Sequence, residues 1–175
     1  MNKNWNESFL KMLKHEGGFV NHPRDPGGMT NLGVTKRVWE AYTGKSASEA
    51  DMRALTPEKV KPLYKNNYWD AVLADQLPSG VDFSVFDFCV NSGPGRAART
   101  LQTVVGAKPD GGIGPKTLAA VEKYVEDMGA AVLIEEYNDA RLSFLKSLST
   151  WDTFGKGWSR RVAETREFSL SLKDN

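Results

Sequence analysis

A mainly α-helical fold is predicted by three observations. Apolar residues recur at helical spacing, first at Trp5, Phe9, Met12 and Leu13, and later at Val132, Leu133, Tyr137, Ala140, Phe144, Leu145 and Leu148. Helix-start signals recur along the chain: Thr35, Ser48 with Asp51, and Thr56-Pro57-Glu58. Strand-like alternation is scarce. A hydrophobic content of 40% over 175 residues supplies a real core, in one domain or two joined lobes.

The first predicted helix runs from Trp5 to Glu16. Glu16 falls eleven positions after Trp5 and shares the apolar stripe, and Gly17-Gly18 stops the helix. Pro23, Pro26, Gly27 and Gly28 then impose tight turns that hold Asp25. Thr35 is the expected N-cap of a helix to Tyr42, ended by Gly44. Ser48 and Asp51 suit a capping box, and Thr56-Pro57-Glu58 opens a helix placing Val60, Leu63, Tyr64, Asn67 and Tyr68 on one face. Pro62 inside it is expected to kink it or delay its start.

Val81 to Val90 reads as an apolar helix, broken by Asn91-Ser92-Gly93-Pro94-Gly95, the clearest lobe boundary. Helical segments follow over Ala97 to Val105, from Pro115 through Met128, from Val132 to Leu148, and from Trp158 to Leu172. Loops are short and there is no repeat of fixed period, which favours one integrated unit.

Composition narrows the function. A net charge of +1 provides no broad basic face for nucleic acid and no field for a membrane surface. No apolar run is long enough to span a bilayer, so no stable membrane insertion is expected. The start, Met1-Asn2-Lys3-Asn4-Trp5, lacks the pattern of a Sec signal peptide. Cys89 is the one cysteine, in an apolar run without a neighbouring histidine, and reads as a small buried hydrophobe. The two histidines, His15 and His22, fall short of the three ligands of a catalytic zinc site, so no metal is expected, and hydrolysis of a glycosidic bond would need no organic cofactor.

A carboxylate ending an amphipathic helix, followed by a glycine-rich loop with a second carboxylate and two threonines, suits a glycosidase site. Glu16 is the candidate general acid. Its ordinary alternative is a helix-end residue whose head group reaches water. His22, in the loop, is a candidate substrate contact. Asp87 and Asn91, four positions apart on one helix face, form either a helix-end polar cluster or part of a glycan cleft. Tyr68 and Trp69 are either aromatic core or a platform for sugar rings. Asp110 to Pro115 lacks alternating acidic ligands and reads as a turn.

The run E-G-G-F-V-N-H-P-R-D-P-G-G-M-T-N-L-G-V-T, Glu16 to Thr35, resembles the signature of glycoside hydrolase family 108, phage endolysins and bacterial muramidases that cut peptidoglycan. The order Glu16, Asp25, Thr30 also resembles the catalytic triad of T-even phage lysozymes, in which the Asp-to-Thr step is one residue longer. Downstream, Asn91-Ser92-Gly93, Leu101-Gln102 and Asp110 through Leu118 resemble the peptidoglycan-binding region that accompanies this family.

The resemblance implies a lysozyme-like helical fold with a small β-hairpin near the active site, for which Phe19-Val20 and Leu32-Gly33-Val34 are the candidates. It implies a catalytic region over 1–90 and a peptidoglycan-binding-like helical region over 91–175, packed as one unit. The implied activity is hydrolysis of the β-1,4 bond between N-acetylmuramic acid and N-acetylglucosamine, with Glu16 as acid, Asp25 as second carboxylate and Thr30 holding water. The implied partner is bacterial peptidoglycan. The expected protein is a monomer made in the bacterial cytoplasm and acting on the cell wall or periplasm, exported by a holin or a secretion apparatus. The alternatives are a non-catalytic peptidoglycan-binding module, or a transglycosylase or amidase.

Overall fold

The computed structural model describes residues 3–21 and 28–174. Among them are nine α-helices and one three-stranded antiparallel sheet. None of these helices is long and apolar enough to cross a membrane. Backbone contacts divide the chain into Asn6–Asn67 and a second unit formed by Met1–Trp5 with Tyr68–Asn175.

The 6–67 unit takes in most of helix α1 (Trp5–Leu13), strands β1 (Val20–Asn21), β2 (Met29–Asn31) and β3 (Val34–Thr35), and helices α2 (Lys36–Thr43), α3 (Glu49–Arg53) and α4 (Pro57–Tyr64). Three starts form from local side-chain caps. The Thr35 hydroxyl accepts from the Val38 amide at 3.1 Å, Ser48 and Asp51 complete a reciprocal capping box, and the Thr56 hydroxyl accepts from the Lys59 amide at 3.3 Å. Gly44, with φ of 72°, closes α2. Phe9, Met12, Met52, Val60, Leu63 and Tyr64 are buried, with Phe9 and Tyr64 rings 5.8 Å apart. Buried Asn31 ties β2 to α3 by donating to the Met52 carbonyl at 2.9 Å.

Two expectations need correcting. The first helix ends at Leu13, and Glu16 lies in the turn beyond it. The amides of His15 and Glu16 bond to Met12 and Leu13 carbonyls at 3.0 Å, three residues back, so the backbone tightens and leaves the α-helical path. The sheet also has a middle strand, Met29–Asn31, that the sequence hid in the glycine-rich loop. Val20 pairs with Thr30, and Asn31 pairs with Val34. The predicted segments are therefore the outer strands, both bonded to β2.

Pro62 neither delays nor ends α4. The irregularity follows it, as a π-helical turn over Lys65–Trp69 and two 3₁₀ turns at Asp70–Val72 and Ala74–Gln76.

The other unit is built around α5 (Val81–Ser92), whose residues Val81 to Cys89 are all buried. A helix buried on every side needs cover on every side, and partners for its polar residues Asp82, Ser84 and Asp87. Helices α6 (Pro94–Val105), α8 (Ala130–Lys146) and α9 (Trp151–Lys173) pack on it, and α7 (Pro115–Met128) packs on α6 and α8. Trp5, Trp69 and Phe86 form an aromatic cluster with centroids 5.2 to 5.6 Å apart. The breaker at 91–95 is a tight corner: Gly93, with φ of 93°, separates α5 from α6.

Candidate functional site

The Glu16 carboxylate is placed by the turn between β2 and β3. Asn31 and Val34 pair across that turn, so Leu32 and Gly33 form a two-residue loop. Both have positive φ, 53° and 78°, as a type I′ hairpin turn requires. Asn-Gly is the usual occupant, and Leu at the first position is a strained choice. The strain is opposed from α4, where the buried Tyr64 hydroxyl donates to the Leu32 carbonyl at 2.7 Å. A buried tyrosine needs a partner for its hydroxyl, and here the partner is the strained turn itself.

Gly33 makes room for the Glu16 carboxyl. A Cβ on Gly33 would lie 2.7 Å from Glu16 Oε2, 2.9 Å from Glu16 Cδ and 2.5 Å from the Tyr64 hydroxyl. Any side chain at position 33 would therefore displace the carboxylate, the hydroxyl or both. Glu16 is part-buried. Thr30 is in the centre of β2, part-exposed and paired with both Val20 and Thr35. The sequence-predicted Asp25 and His22 lie outside the described residues.

Two predicted sugar contacts are reassigned because they are closed off. Trp69 is fully buried, its indole N–H donating to Asp75 at 2.7 Å, so its ring is core and no platform for a sugar. Asp87 is also fully buried. Its carboxylate accepts from Arg141 at 2.9 Å, from Arg161 at 3.0 and 3.1 Å, and from the Thr165 hydroxyl at 3.1 Å. Burial alone would raise its pKa, but the Arg161 and Arg141 guanidinia overcome that and hold the carboxyl well below the usual carboxylate range. A carboxylate with these lone pairs committed to α8 and α9 is a structural ion, out of reach of a glycan.

Tyr68 and Asn91 keep partial exposure. Asn91 Oδ1 accepts from Arg141 at 3.5 Å, at the edge of the same ionic cluster. Burial pushes the Cys89 thiol up to about 12, and it makes a long contact, 3.7 Å, to the Tyr68 carbonyl. That thiol is no nucleophile at neutral pH.

Sequence reasoning missed Tyr64 and the task of Gly33. Tyr64 reads as one more apolar-face residue of α4, and only its hydroxyl hinted at a polar duty. Gln102 is similar. Buried on α6, its amide reaches Asp110 at 2.9 Å, the Gly112 carbonyl at 3.0 Å and Thr117 at 3.1 Å, and it accepts from the Gly111 amide at 3.0 Å. One side chain thus ties Asp110, Gly111 and Gly112 of the turn to α6 and to Thr117.

Residues 9–93 match the family described as "Glycosyl hydrolase 108". Residues 96–163 match the one described as "Predicted Peptidoglycan domain". Among solved structures, that of Brucella abortus SagA is 44% identical, with a TM-score of 0.88, over 100% of this chain and 98% of that chain. The chain belongs to the glycoside hydrolase 108 family. Comparison with curated proteins gave no match. For this family 108 chain, a glycosyl hydrolase region followed by a peptidoglycan region supports a glycoside hydrolase acting on peptidoglycan. The seam between the two matches falls at residues 94 and 95, at the N-terminus of α6. The Gly33 seat and Glu16 both lie inside the first match.

Proposed function

We propose that this chain is an N-acetylmuramidase, hydrolysing the β-1,4 bond between N-acetylmuramic acid and N-acetylglucosamine. The observation that carries this reading is the Glu16 carboxylate seated on Gly33 within the glycosyl hydrolase region. Glu16 gives its proton to the glycosidic oxygen as the bond from that oxygen to the muramic acid anomeric carbon breaks. Positive charge builds on the sugar ring, and Asp25 either stabilises it or takes a proton from the attacking water. The Thr30 hydroxyl holds that water. Inversion is the favoured outcome, which requires the two carboxyls to stand roughly 6.5–9.5 Å apart so that a water fits between them.

Catalysis is assigned to residues 1–90 and wall binding to 91–175. His22, Tyr68 and Asn91 are the remaining candidate sugar contacts. The enzyme acts outside the cytoplasm after release by a holin or a secretion apparatus, as a phage endolysin or a bacterial counterpart.

Mass spectrometry of fragments released from purified peptidoglycan tests the reading. Wild-type protein should yield reducing muramic acid ends, and Glu16→Gln should yield them at least about a hundredfold more slowly. Anhydro ends would make the protein a transglycosylase, freed peptides alone an amidase, and no fragments a binding module.

A further inference from the structure

A second site is written into α6. Arg96 and Arg99 line a cavity of 380 Å³ together with Val104, Pro109, Ala140 and Phe144. Every one of these residues falls inside the 96–163 peptidoglycan match. No acidic side chain lines the cavity, and among the described residues neither arginine has a carboxylate partner.

The two guanidinia differ in their surroundings: Arg96 is part-buried and Arg99 is exposed. Arg96 lies 4.4 Å from the centroid of the Phe144 ring, which is itself packed on Phe88 at 5.9 Å. Arg99 lies over two glycines: a Cβ on Gly95 or on Gly111 would come within 3.1 Å of one of its guanidinium nitrogens. Gln102 fixes the Gly111 turn that forms one wall of this seat. The other polar groups of the cavity are occupied, since Thr100 donates to the Arg96 carbonyl at 2.8 Å and Thr103 to the Arg99 carbonyl at 2.9 Å. Two guanidinium forks beside an apolar floor suit an anion on a short aliphatic chain, such as a carboxylate. Prior ordering of Arg96 on the Phe144 ring lowers the entropy lost on binding.

We infer that this cavity binds a carboxylate of the peptide stem of peptidoglycan, so that the 96–163 region recognises peptide rather than sugar. The inference rests on peptidoglycan being the substrate. Within that polymer the glycan strand is largely uncharged, whereas the stems carry free carboxylates, so charge complementarity picks out the stem.

The test uses full-length protein carrying Glu16→Gln, followed by NMR of the arginine side-chain N–H groups. The probes are the stem tetrapeptide L-Ala–γ-D-Glu–diaminopimelate–D-Ala, an uncharged oligosaccharide of β-1,4-linked N-acetylglucosamine, and inorganic phosphate. The tetrapeptide should shift the Arg96 and Arg99 signals while the uncharged oligosaccharide leaves them unmoved. Arg99→Gln should weaken tetrapeptide binding about tenfold or more, the worth of one charge-assisted hydrogen bond. Arg99→Lys, which keeps the charge but loses the fork, should weaken it by less. Silence of both arginines at millimolar tetrapeptide would overturn the inference, as would equal affinity of parent and Arg99→Gln. Phosphate binding as tightly as the tetrapeptide would also overturn it, leaving a generic anion site. Failure of the muramidase reading appears elsewhere, in the chemical ends of released fragments, and leaves these signals untouched.

Discussion

Two carboxylates near helix ends, Glu16 and Asp87, invite the same sequence reading, and the structure treats them in opposite ways. Glu16 lies in a turn, part-buried, resting on a glycine. Asp87 lies inside α5 with no exposure, clamped by two arginines and a threonine. Position on a helix face does not separate a reactive acid from a structural one. Surroundings bear on it: guanidinia fix Asp87 as an anion, whereas the Glu16 carboxyl, the proposed acid, lies beside a glycine that makes room for it.

Removing the two carboxylates should therefore break different properties. Glu16→Gln should lower turnover by roughly 10²–10⁴, the usual contribution of a general acid, while the melting temperature stays close to wild type. Asp87→Asn should do the reverse. It strands Arg141 in the core, and breaking one side of a buried ion pair costs about 3–5 kcal/mol. Urea unfolding of both variants beside turnover on peptidoglycan checks the contrast. A Glu16→Gln protein as destabilised as Asp87→Asn would place Glu16 among the structural ions.

Acid should sharpen the same contrast. Asp87 has a lowered pKa in the folded state. A lowered carboxylate contributes stability that is complete above its unfolded value, about 4, and is lost as pH falls toward the folded value. Wild-type stability should decline below about pH 4, and the slope should be shallower in Asp87→Asn. Parallel slopes in the two proteins would show that other groups govern acid unfolding.

What was legible in the sequence follows the same division between local and distant partners. The starts of α2, α3 and α4 were readable because Thr35, Ser48 and Thr56 act on amides three residues ahead. The role of Asp87 was not, because Arg141 and Arg161 join it from 54 and 74 positions away. Strand β2 was hidden for a related reason. Met29–Asn31 is too short to show alternation, and it is a strand only because β1 and β3 flank it. The end of the first helix was misplaced because the apolar stripe continues geometrically to Glu16, while the backbone has already tightened after Leu13.

Gly33→Ala tests the seat directly. Alanine at a φ of 78° is strained by about 1–2 kcal/mol, and its Cβ would overlap the Glu16 carboxyl. Turnover should fall roughly tenfold or more, since small displacements of a catalytic group are costly, with a smaller loss of stability than in Asp87→Asn. Wild-type turnover in Gly33→Ala would mean that Glu16 has room to spare and that the close approach has no catalytic purpose.

Tyr64→Phe should give the smallest effect and the most specific one. It deletes one oxygen, leaves the ring against Phe9, and frees the Leu32 carbonyl from its 2.7 Å bond. Loss of that bond should cost about 1 kcal/mol, or roughly 2–4 °C in Tm for a chain of this size. If the bond served stability alone, turnover measured well below the melting range would not change. If it holds the Leu32-Gly33 turn under Glu16, kcat should fall severalfold with KM unchanged. A change in KM alone would assign Tyr64 to substrate binding. The split between kcat and KM therefore decides whether the strained turn is a catalytic support or merely a hairpin that tolerates leucine.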